Sequence, residues 1–157
     1  MYIYTVSFFG HRYVDYPTEI GNRLDKLLHD LIMRREYVEF LIGRNGDFDL
    51  LASSAIKKAV RSYDYGNTHL TLVLPYMKAE YRDNEHSYLE YYDEVEVCAE
   101  SSAAHPKSAI QVRNRSMIDR SELVVCCIQH KNGGAYKTIR YAEKQGKKIV
   151  NLAEKIK

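Results

Sequence analysis

Short apolar runs alternate with amphipathic stretches along the chain, and several of the apolar runs end at glycine or proline. The run "IYTVSFF" at 3–9 is dense in β-branched and aromatic residues and stops at Gly10, a pattern typical of a buried strand. The same reasoning predicts five more strands, at 37–43, 68–75, 93–99, 122–128 and 148–152.

Helical spacing of apolar residues marks the stretches between these runs. A leucine stripe predicts a helix over 18–35 with Thr18 as its N-cap, and residues 101–106 are expected to form a loop. Further helices are predicted over 50–63, 76–91, 107–120 and 135–145. Parallel strands need crossovers of helix length, so the alternation predicts a single α/β domain over 1–157, a three-layer Rossmann-like fold with a mainly parallel central sheet.

Composition narrows the function classes. The chain has 157 residues, 45% of them apolar, and a formal net charge of only +2, which indicates neither a polybasic membrane anchor nor a nucleic-acid coat. No apolar stretch reaches the roughly 18 residues of a membrane span. The three cysteines suit a reducing compartment, so a cytoplasmic protein without a membrane partner is expected. Cys127, near the end of the fifth predicted strand, is expected to be buried and inert.

Three of the predicted loops that follow strands contain glycine: "FFGHR", "IGRNGDFD" and "QHKNGGAYKT". Each glycine alone could serve only a tight turn, but parallel strands place all three loops at one edge, which favours a ligand that carries phosphate. Neither GxGxxG nor GxxxxGK[ST] is present, which disfavours dinucleotide oxidoreductases and P-loop ATPases. No cofactor and no metal are predicted.

Four segments together resemble the SLOG superfamily, the Rossmann-like group that includes DprA and the LOG phosphoribohydrolases. They are "SFFGHR", "FLIGRNGDFDLLAS", "VRNRSMIDRSELVVCCI" and "GGAYKTIRYAEKQGKKIVNL", and they extend over about residues 3–152. Within the superfamily the chain is most similar to the YpsA-like branch of small bacterial proteins.

The resemblance implies a pocket for a nucleotide or nucleotide derivative. It implies backbone phosphate contacts at five glycines, Gly10, Gly43, Gly46, Gly133 and Gly134. It also places Asp49 near the second loop and makes Arg113 and Asn114 a polar pair that reaches into the pocket.

The residues themselves support part of this set. The planar fork of Arg113 can clamp a phosphate, Thr138 near a helix start can add a hydroxyl, and His11 and Arg12 follow directly in the first loop. Other interpretations stay open: Arg113 could be a solvated helix charge, Asp49 could stabilise its own helix N-terminus, and His11 could be a hydrogen-bonded loop histidine.

Catalysis is left open by the last loop. LOG phosphoribohydrolases carry a glutamate in a GGxGTxxE pattern, whereas this chain reads "GGAYKTIRYAE", and its first acid, Glu143, falls about a turn late. Without that glutamate the resemblance favours binding or sensing over turnover. The alternative is an N-glycosidase, LOG-like or deoxyribosyltransferase-like, in which Asp47, Asp49 or His11 supplies the missing group.

A tyrosine-rich segment suggests an interface or a base-stacking wall, because aromatic residues with polar tips are frequent at interfaces. Its members are Tyr76, Tyr81, Tyr88, Tyr91 and Tyr92. Eight acids against a single arginine over residues 80–100 make nucleic acid an improbable partner on this reasoning. A homodimer is expected, since symmetric pairs are the commonest assembly of such domains.

Overall fold

Strands and helices alternate in the computed structural model, which describes residues 1–63 and 65–155. The strands are β1 (Ile3–Gly10), β2 (Tyr37–Ile42), β3 (Thr68–Leu74), β4 (Glu94–Val97), β5 (Leu123–Cys127) and β6 (Lys148–Asn151). The helices are α1 (Pro17–Arg34), α2 (Asp47–Tyr63), α3 (Ala79–Asp83), α4 (Glu85–Tyr91), α5 (Ala99–Ser102), α6 (Ala109–Asp119) and α7 (Gly133–Lys144).

The six strands form one sheet in the order β4-β3-β2-β1-β5-β6, and every neighbouring pair is parallel. The chain builds the sheet outward from β1 to β4, then crosses back to place β5 on the other side of β1. The predicted fold class is confirmed, and the sheet is wholly parallel rather than mainly so. The strand order reverses between β1 and β5, which is where open parallel sheets bind ligands.

Alternating residues of each strand feed two cores, one on each face of the sheet. Phe8 packs in the larger core with α1 and α2, whereas Phe9 packs in the smaller core with α6 and α7. Side chains on both faces are therefore buried, which explains why the strands read as continuous apolar runs. Across residues 1–63 and 65–155, no helix is long and apolar enough to cross a membrane.

Several predicted helix boundaries need correction. Helices α2 and α7 begin three and two residues before their predicted starts, at Asp47 and Gly133. Helix α1 begins at Pro17, with Tyr16 as its N-cap at φ 56°, so Thr18 is not the cap; proline suits this first position because its missing N–H has no intrahelical role there. The stretch 76–91 forms two short helices, α3 and α4, that meet at Asn84. Helix α6 starts at Ala109, and α5 occupies part of the predicted loop.

Candidate functional site

A cavity of about 240 Å³ opens at the carboxyl ends of β1 and β2, beside the point where the strand order reverses. The two strands contribute its base, and the starts of α2, α6 and α7 contribute its sides. Its lining residues are Phe8, Phe9, Gly10, Arg12, Gly43, Asn45, Asp49, Ile110, Gln111, Arg113, Asn114, Gly134 and Ala135.

Arg113 is the buried cation of this cavity, with only 2% of its surface exposed. Its Nη1 donates to the Val73 carbonyl at 2.6 Å, Nε to Asn114 Oδ1 at 2.8 Å, and Nη2 to Asn45 Oδ1 at 3.2 Å. These bonds use three of the five guanidinium N–H groups, so two have no acceptor among the described residues. Arg113 is therefore fixed in position with donors to spare, and it is not a solvated helix charge.

A short chain of hydrogen bonds connects Arg113 to the start of α7. Asn114 accepts from Arg113 and donates through Nδ2 to Thr138 Oγ1 at 2.9 Å. The Thr138 hydroxyl is 3.0 Å from the Gly134 carbonyl, which also accepts from Gln111 Nε2 at 3.0 Å. Thr138 is fully buried, so its hydroxyl holds α7 against α6 instead of facing the cavity.

Asp49 is the carboxyl that lines the cavity. Its Oδ2 accepts the Asn45 N–H at 2.8 Å, an arrangement that closes the loop before α2. Burial raises the pKa of Asp49 above its usual value, and the Asn45 N–H and the Arg113 charge oppose that rise only in part. Burial likewise lowers the pKa of Arg113, against the effect of Asp49, but an arginine stays charged in proteins. Asp49 is thus a lining carboxyl whose ionised form is disfavoured by burial.

The start of α7 is electrostatically suited to bind an anion. Asn132, its N-cap, makes no side-chain capping bond, and the first turn carries no acid. The first N–H groups of a helix lack intrahelical acceptors and favour negative charge. The start of α2 differs, because Asp47 and Asp49 already place carboxyls in its first turn. An anion in the cavity is therefore favoured at α7.

At two of the glycines predicted to contact phosphate, tight packing by itself explains why the residue is glycine. A Cβ at Gly10 would lie 2.5 Å from Cβ and Cδ2 of Phe48, and a Cβ at Gly46 would lie 2.6 Å from the Arg12 Cα. The Asp47 N–H donates to the Arg12 carbonyl at 2.7 Å, which joins the first two loops through their backbones. These glycines allow close approach of chain segments, whatever their role toward a ligand.

The glycine pair at the start of α7 divides into two roles. Gly133 has φ +88°, a conformation that side chains rarely adopt, and open space surrounds it. Gly134 lines the cavity, and a Cβ there would meet only the end of the Gln111 side chain at 3.0 Å. Gly133 therefore makes the bend, and Gly134 borders the space where a ligand would lie.

His11 faces the neighbouring loop. Its Nε2 accepts the His130 N–H at 3.1 Å, and the two rings lie 5.3 Å apart. Burial, and next the charge of His130, lower the pKa of His11. His11 is thus a hydrogen-bonded loop histidine, one of the interpretations that the sequence left open.

The predicted site residues divide into two groups. Those that line the cavity are Gly10, Arg12, Gly43, Asp49, Arg113, Asn114 and Gly134. Those that do not line it are His11, Gly46, Gly133 and Thr138. The sequence did not indicate the other lining residues, which are Phe8, Phe9, Asn45, Ile110, Gln111 and Ala135. Ile110 and Gln111 precede Asn114 by four and three positions, so helical spacing on α6 could have indicated them.

No carboxyl follows the glycine pair into the cavity. Glu143 is exposed, and its Oε1 lies 3.7 Å from Arg140 Nη1 on the outer side of α7. Cys127 is also removed from the site, because it is fully buried in the larger core, and burial raises its pKa to about 11. Neither side chain supplies the acid, base or nucleophile of a hydrolase.

The tyrosine-rich segment is largely internal. Tyr81, Tyr88 and Tyr92 are buried in the larger core. Arg44, just after β2, lies over the Tyr88 ring at 5.0 Å and donates to the Tyr92 hydroxyl at 3.3 Å. These three tyrosines attach α3 and α4 to the sheet, so the segment is not a continuous aromatic docking surface.

Comparisons with known proteins point to one fold. No protein-family model and no curated protein matches the chain. Among solved structures, DNA processing protein A (DprA) from Streptococcus pneumoniae is similar with a TM-score of 0.65 at 13% identity, over 94% of this chain and 49% of that one. DprA from Helicobacter pylori gives 0.63 at 17% identity, over 93% of this chain and 63% of that one. This chain therefore spans about half to two thirds of the length of these proteins.

One expectation about partners is wrong. The acids of residues 80–100 suggested that nucleic acid is an improbable partner, yet the same fold in Helicobacter pylori DprA has a single-stranded DNA binding mode. Two of those acids also lie beside arginines, Glu80 at 3.5 Å from Arg44 Nη2 and Glu96 at 2.6 Å from Arg120 Nη1. Their number was therefore a poor guide. The YpsA-like branch and the homodimer stay predictions, and the chain has the Rossmann-like fold seen in DprA.

Proposed function

We propose that the chain binds the phosphate group of a nucleotide in the cavity between Arg113 and the start of α7. The observation that carries this proposal is the buried guanidinium of Arg113, which is held by three hydrogen bonds and keeps two N–H groups without an acceptor in the described part of the chain. A buried cation with free donors beside an uncapped helix start favours an oxyanion.

The charge of the lining supports an anionic ligand. Arg12 and Arg113 are the cations that line the cavity, and Asp49 is the single acid among its lining residues. With two cations against one acid, the lining carries a net positive charge even when Asp49 is ionised. The α7 dipole adds a modest favourable contribution for a ligand near Gly134.

The size of the cavity sets how much of a nucleotide it holds. Pockets that enclose a whole small-molecule ligand usually measure about 300–1,000 Å³, and this one measures about 240 Å³. We therefore expect the phosphate and part of the sugar to lie inside, with the base at the rim beside Ile110, which is 38% exposed. A site of this kind recognises phosphate more strictly than base.

Single-stranded nucleic acid is a second candidate ligand, because its backbone would present phosphate to the same site. Two tyrosines on loops at this edge, Tyr13 and Tyr76, are 74% and 40% exposed and offer stacking surfaces for bases. The fold neighbours described as DNA processing proteins support testing this form directly.

N-glycoside cleavage is the remaining alternative. A glycosidase needs a carboxyl that protonates the leaving group or stabilises the sugar cation, and Asp49 is the one carboxyl that lines the cavity. Incubation with adenosine monophosphate followed by chromatography for free adenine tests it. If the wild type releases adenine and Asp49→Asn does not, the protein is a hydrolase and not a binding protein without turnover.

Calorimetric titration tests the binding proposal. Adenosine monophosphate, adenosine and a short single-stranded oligodeoxynucleotide are each titrated into the wild type, Arg113→Met and Arg115→Met. Arg115 is the matched control, an exposed arginine on the same helix that does not line the cavity.

We expect the monophosphate to bind and adenosine to bind far more weakly. Loss of the charge-assisted contact in Arg113→Met should weaken binding about ten- to a hundredfold, whereas Arg115→Met should bind as the wild type does. Equal binding of adenosine and its monophosphate, or equal losses in the two arginine variants, would contradict the proposal.

A further inference from the structure

A carboxyl and a guanidinium converge on Gly43 in the cavity. A Cβ added at Gly43 would lie 3.2 Å from Asp49 Oδ2 and also 3.2 Å from both Nη1 and Nη2 of Arg113. Both side chains line the cavity, but within the described residues they form no direct ion pair. An oxyanion that contacts the free N–H groups of Arg113 therefore comes close to the carboxyl of Asp49.

We infer that Asp49 contacts the bound anion as a neutral carboxylic acid, so that the cavity takes up one proton together with each oxyanion. The inference deepens the proposed function and rests on it, since it concerns the same cavity. The Asp49 O–H donates to an oxygen of the anion, and the proton comes from the solvent. No covalent bond is formed or broken.

The geometry around Asp49 leaves its ionised form poorly stabilised. A single donor, the Asn45 N–H at 2.8 Å, reaches the carboxyl among the described residues. Burial raises the pKa of Asp49, and a second negative group beside it in the cavity disfavours its ionised form further. A protonated Asp49 instead adds a donor to those of Arg113 and the first turn of α7.

Several other charged or titratable groups lie around Asp49 and could influence its protonation. Arg113 from α6 and Tyr92 after α4 interact electrostatically with Asp49, and Arg12 from the β1–α1 loop lines the same cavity. The surrounding loops and the first turn of α2 add Arg44, Lys78 and the exposed acids Asp47 and Glu80. Burial raises the pKa of Tyr92 further above neutrality.

Two histidines need a control because histidines change charge near neutral pH. His11 and His130 contact each other in the neighbouring loops and do not line the cavity. A pH effect that arises from Asp49 should therefore persist in His11→Gln.

Sulfate is the probe that isolates the effect, because it neither gains nor loses a proton near neutral pH and has no sugar hydroxyl. Its affinity is measured over a series of pH values from the rise in unfolding temperature, with sodium chloride of equal ionic strength as the reference. Calorimetry in two buffers of different ionisation enthalpy gives the number of protons taken up. The variants are Asp49→Asn and, as the matched control, Asp47→Asn, an exposed acid in the same helix turn.

In the wild type and Asp47→Asn, we expect the dissociation constant of sulfate to rise by up to about tenfold per pH unit, with uptake of about one proton. In Asp49→Asn, which is neutral at every pH, the dissociation constant should be constant and proton uptake absent. A flat pH profile in the wild type, or an unchanged slope in Asp49→Asn, overturns the inference while leaving anion binding intact. A slope that disappears in His11→Gln overturns it as well. Absence of sulfate binding in every variant and at every pH would instead count against the proposed function itself.

Discussion

Replacing Gly10 by alanine should destabilise the fold through one contact. The added methyl group would lie 2.5 Å from Cβ and Cδ2 of Phe48, and Phe48 is fully buried in the first turn of α2. Ordinary van der Waals separations are about 3.5–4.0 Å, so the ring or the backbone must shift. Overpacking of a closed core typically costs about 1–3 kcal/mol, and we expect Gly10→Ala to fall in that range.

A second glycine provides a control at which alanine should increase the stability instead of lowering it. Gly21 lies inside α1, and a Cβ there would meet only Leu51 Cδ1, at 4.0 Å. Alanine is favoured over glycine in a helix interior by roughly 0.5–1 kcal/mol. Gly21→Ala should therefore stabilise the protein by about that amount, because the substitution adds no clash.

Urea unfolding followed by circular dichroism measures both variants. A double variant, Gly10→Ala with Phe48→Leu, should lose less stability than the two single changes summed, since the smaller side chain removes the clash. If Gly10→Ala is as stable as the wild type, or if the double variant shows no coupling, the packing explanation of Gly10 is refuted.

Three further predictions concern single positions. Gly133→Ala should lower the free energy of unfolding by about 1–2 kcal/mol in urea titrations, because alanine is strained at positive φ, while circular dichroism of the folded protein stays unchanged. Asp49→Asn should raise the melting temperature near neutral pH, because burial raises the pKa of Asp49 in the folded state. The neutral carboxyl contributes its full stability below the pKa of the unfolded state, and this stability is lost as the pH rises through the pKa of the folded state. The gain should vanish on acidification to about pH 4, and a gain independent of pH would contradict the assignment. Cys126 and Cys127, whose pKa values burial raises to about 12 and about 11, should resist a thiol reagent at mildly alkaline pH until urea unfolds the chain.

The sheet could be predicted from the sequence because its signals are local. Each strand is a run of β-branched or aromatic residues, and the predicted boundaries differ from the observed ones by only one or two residues. Parallel pairing then fixes which strand ends share an edge. For this reason Gly10, Gly43 and Gly134 were correctly placed around one cavity.

The parts that the sequence left open or misjudged depend on contacts between distant segments. Whether Arg113 is a solvated helix charge stayed open, because only the packing of α6 over β3 brings it to the Val73 carbonyl and buries it. The tyrosines of this segment resembled a surface because the residues that cover them are distant in sequence; Arg44, which contacts Tyr88 and Tyr92, lies more than forty residues earlier. The start of α1 was misjudged because Thr18 is a good cap, but Pro17 takes the first helical position.

Nuclear magnetic resonance can show whether phosphate binds between Arg113 and the start of α7. Adenosine monophosphate is titrated into ¹⁵N-labelled protein, and the backbone amides of Gly134 and Ala135 are followed together with the Arg113 Nε–H. We expect these signals to shift together and saturate, and the Gly134 and Ala135 shifts to disappear in Arg113→Met but persist in Arg115→Met. Saturable shifts confined to other surfaces, such as the groove lined by Arg115 and Tyr141, would contradict this expectation.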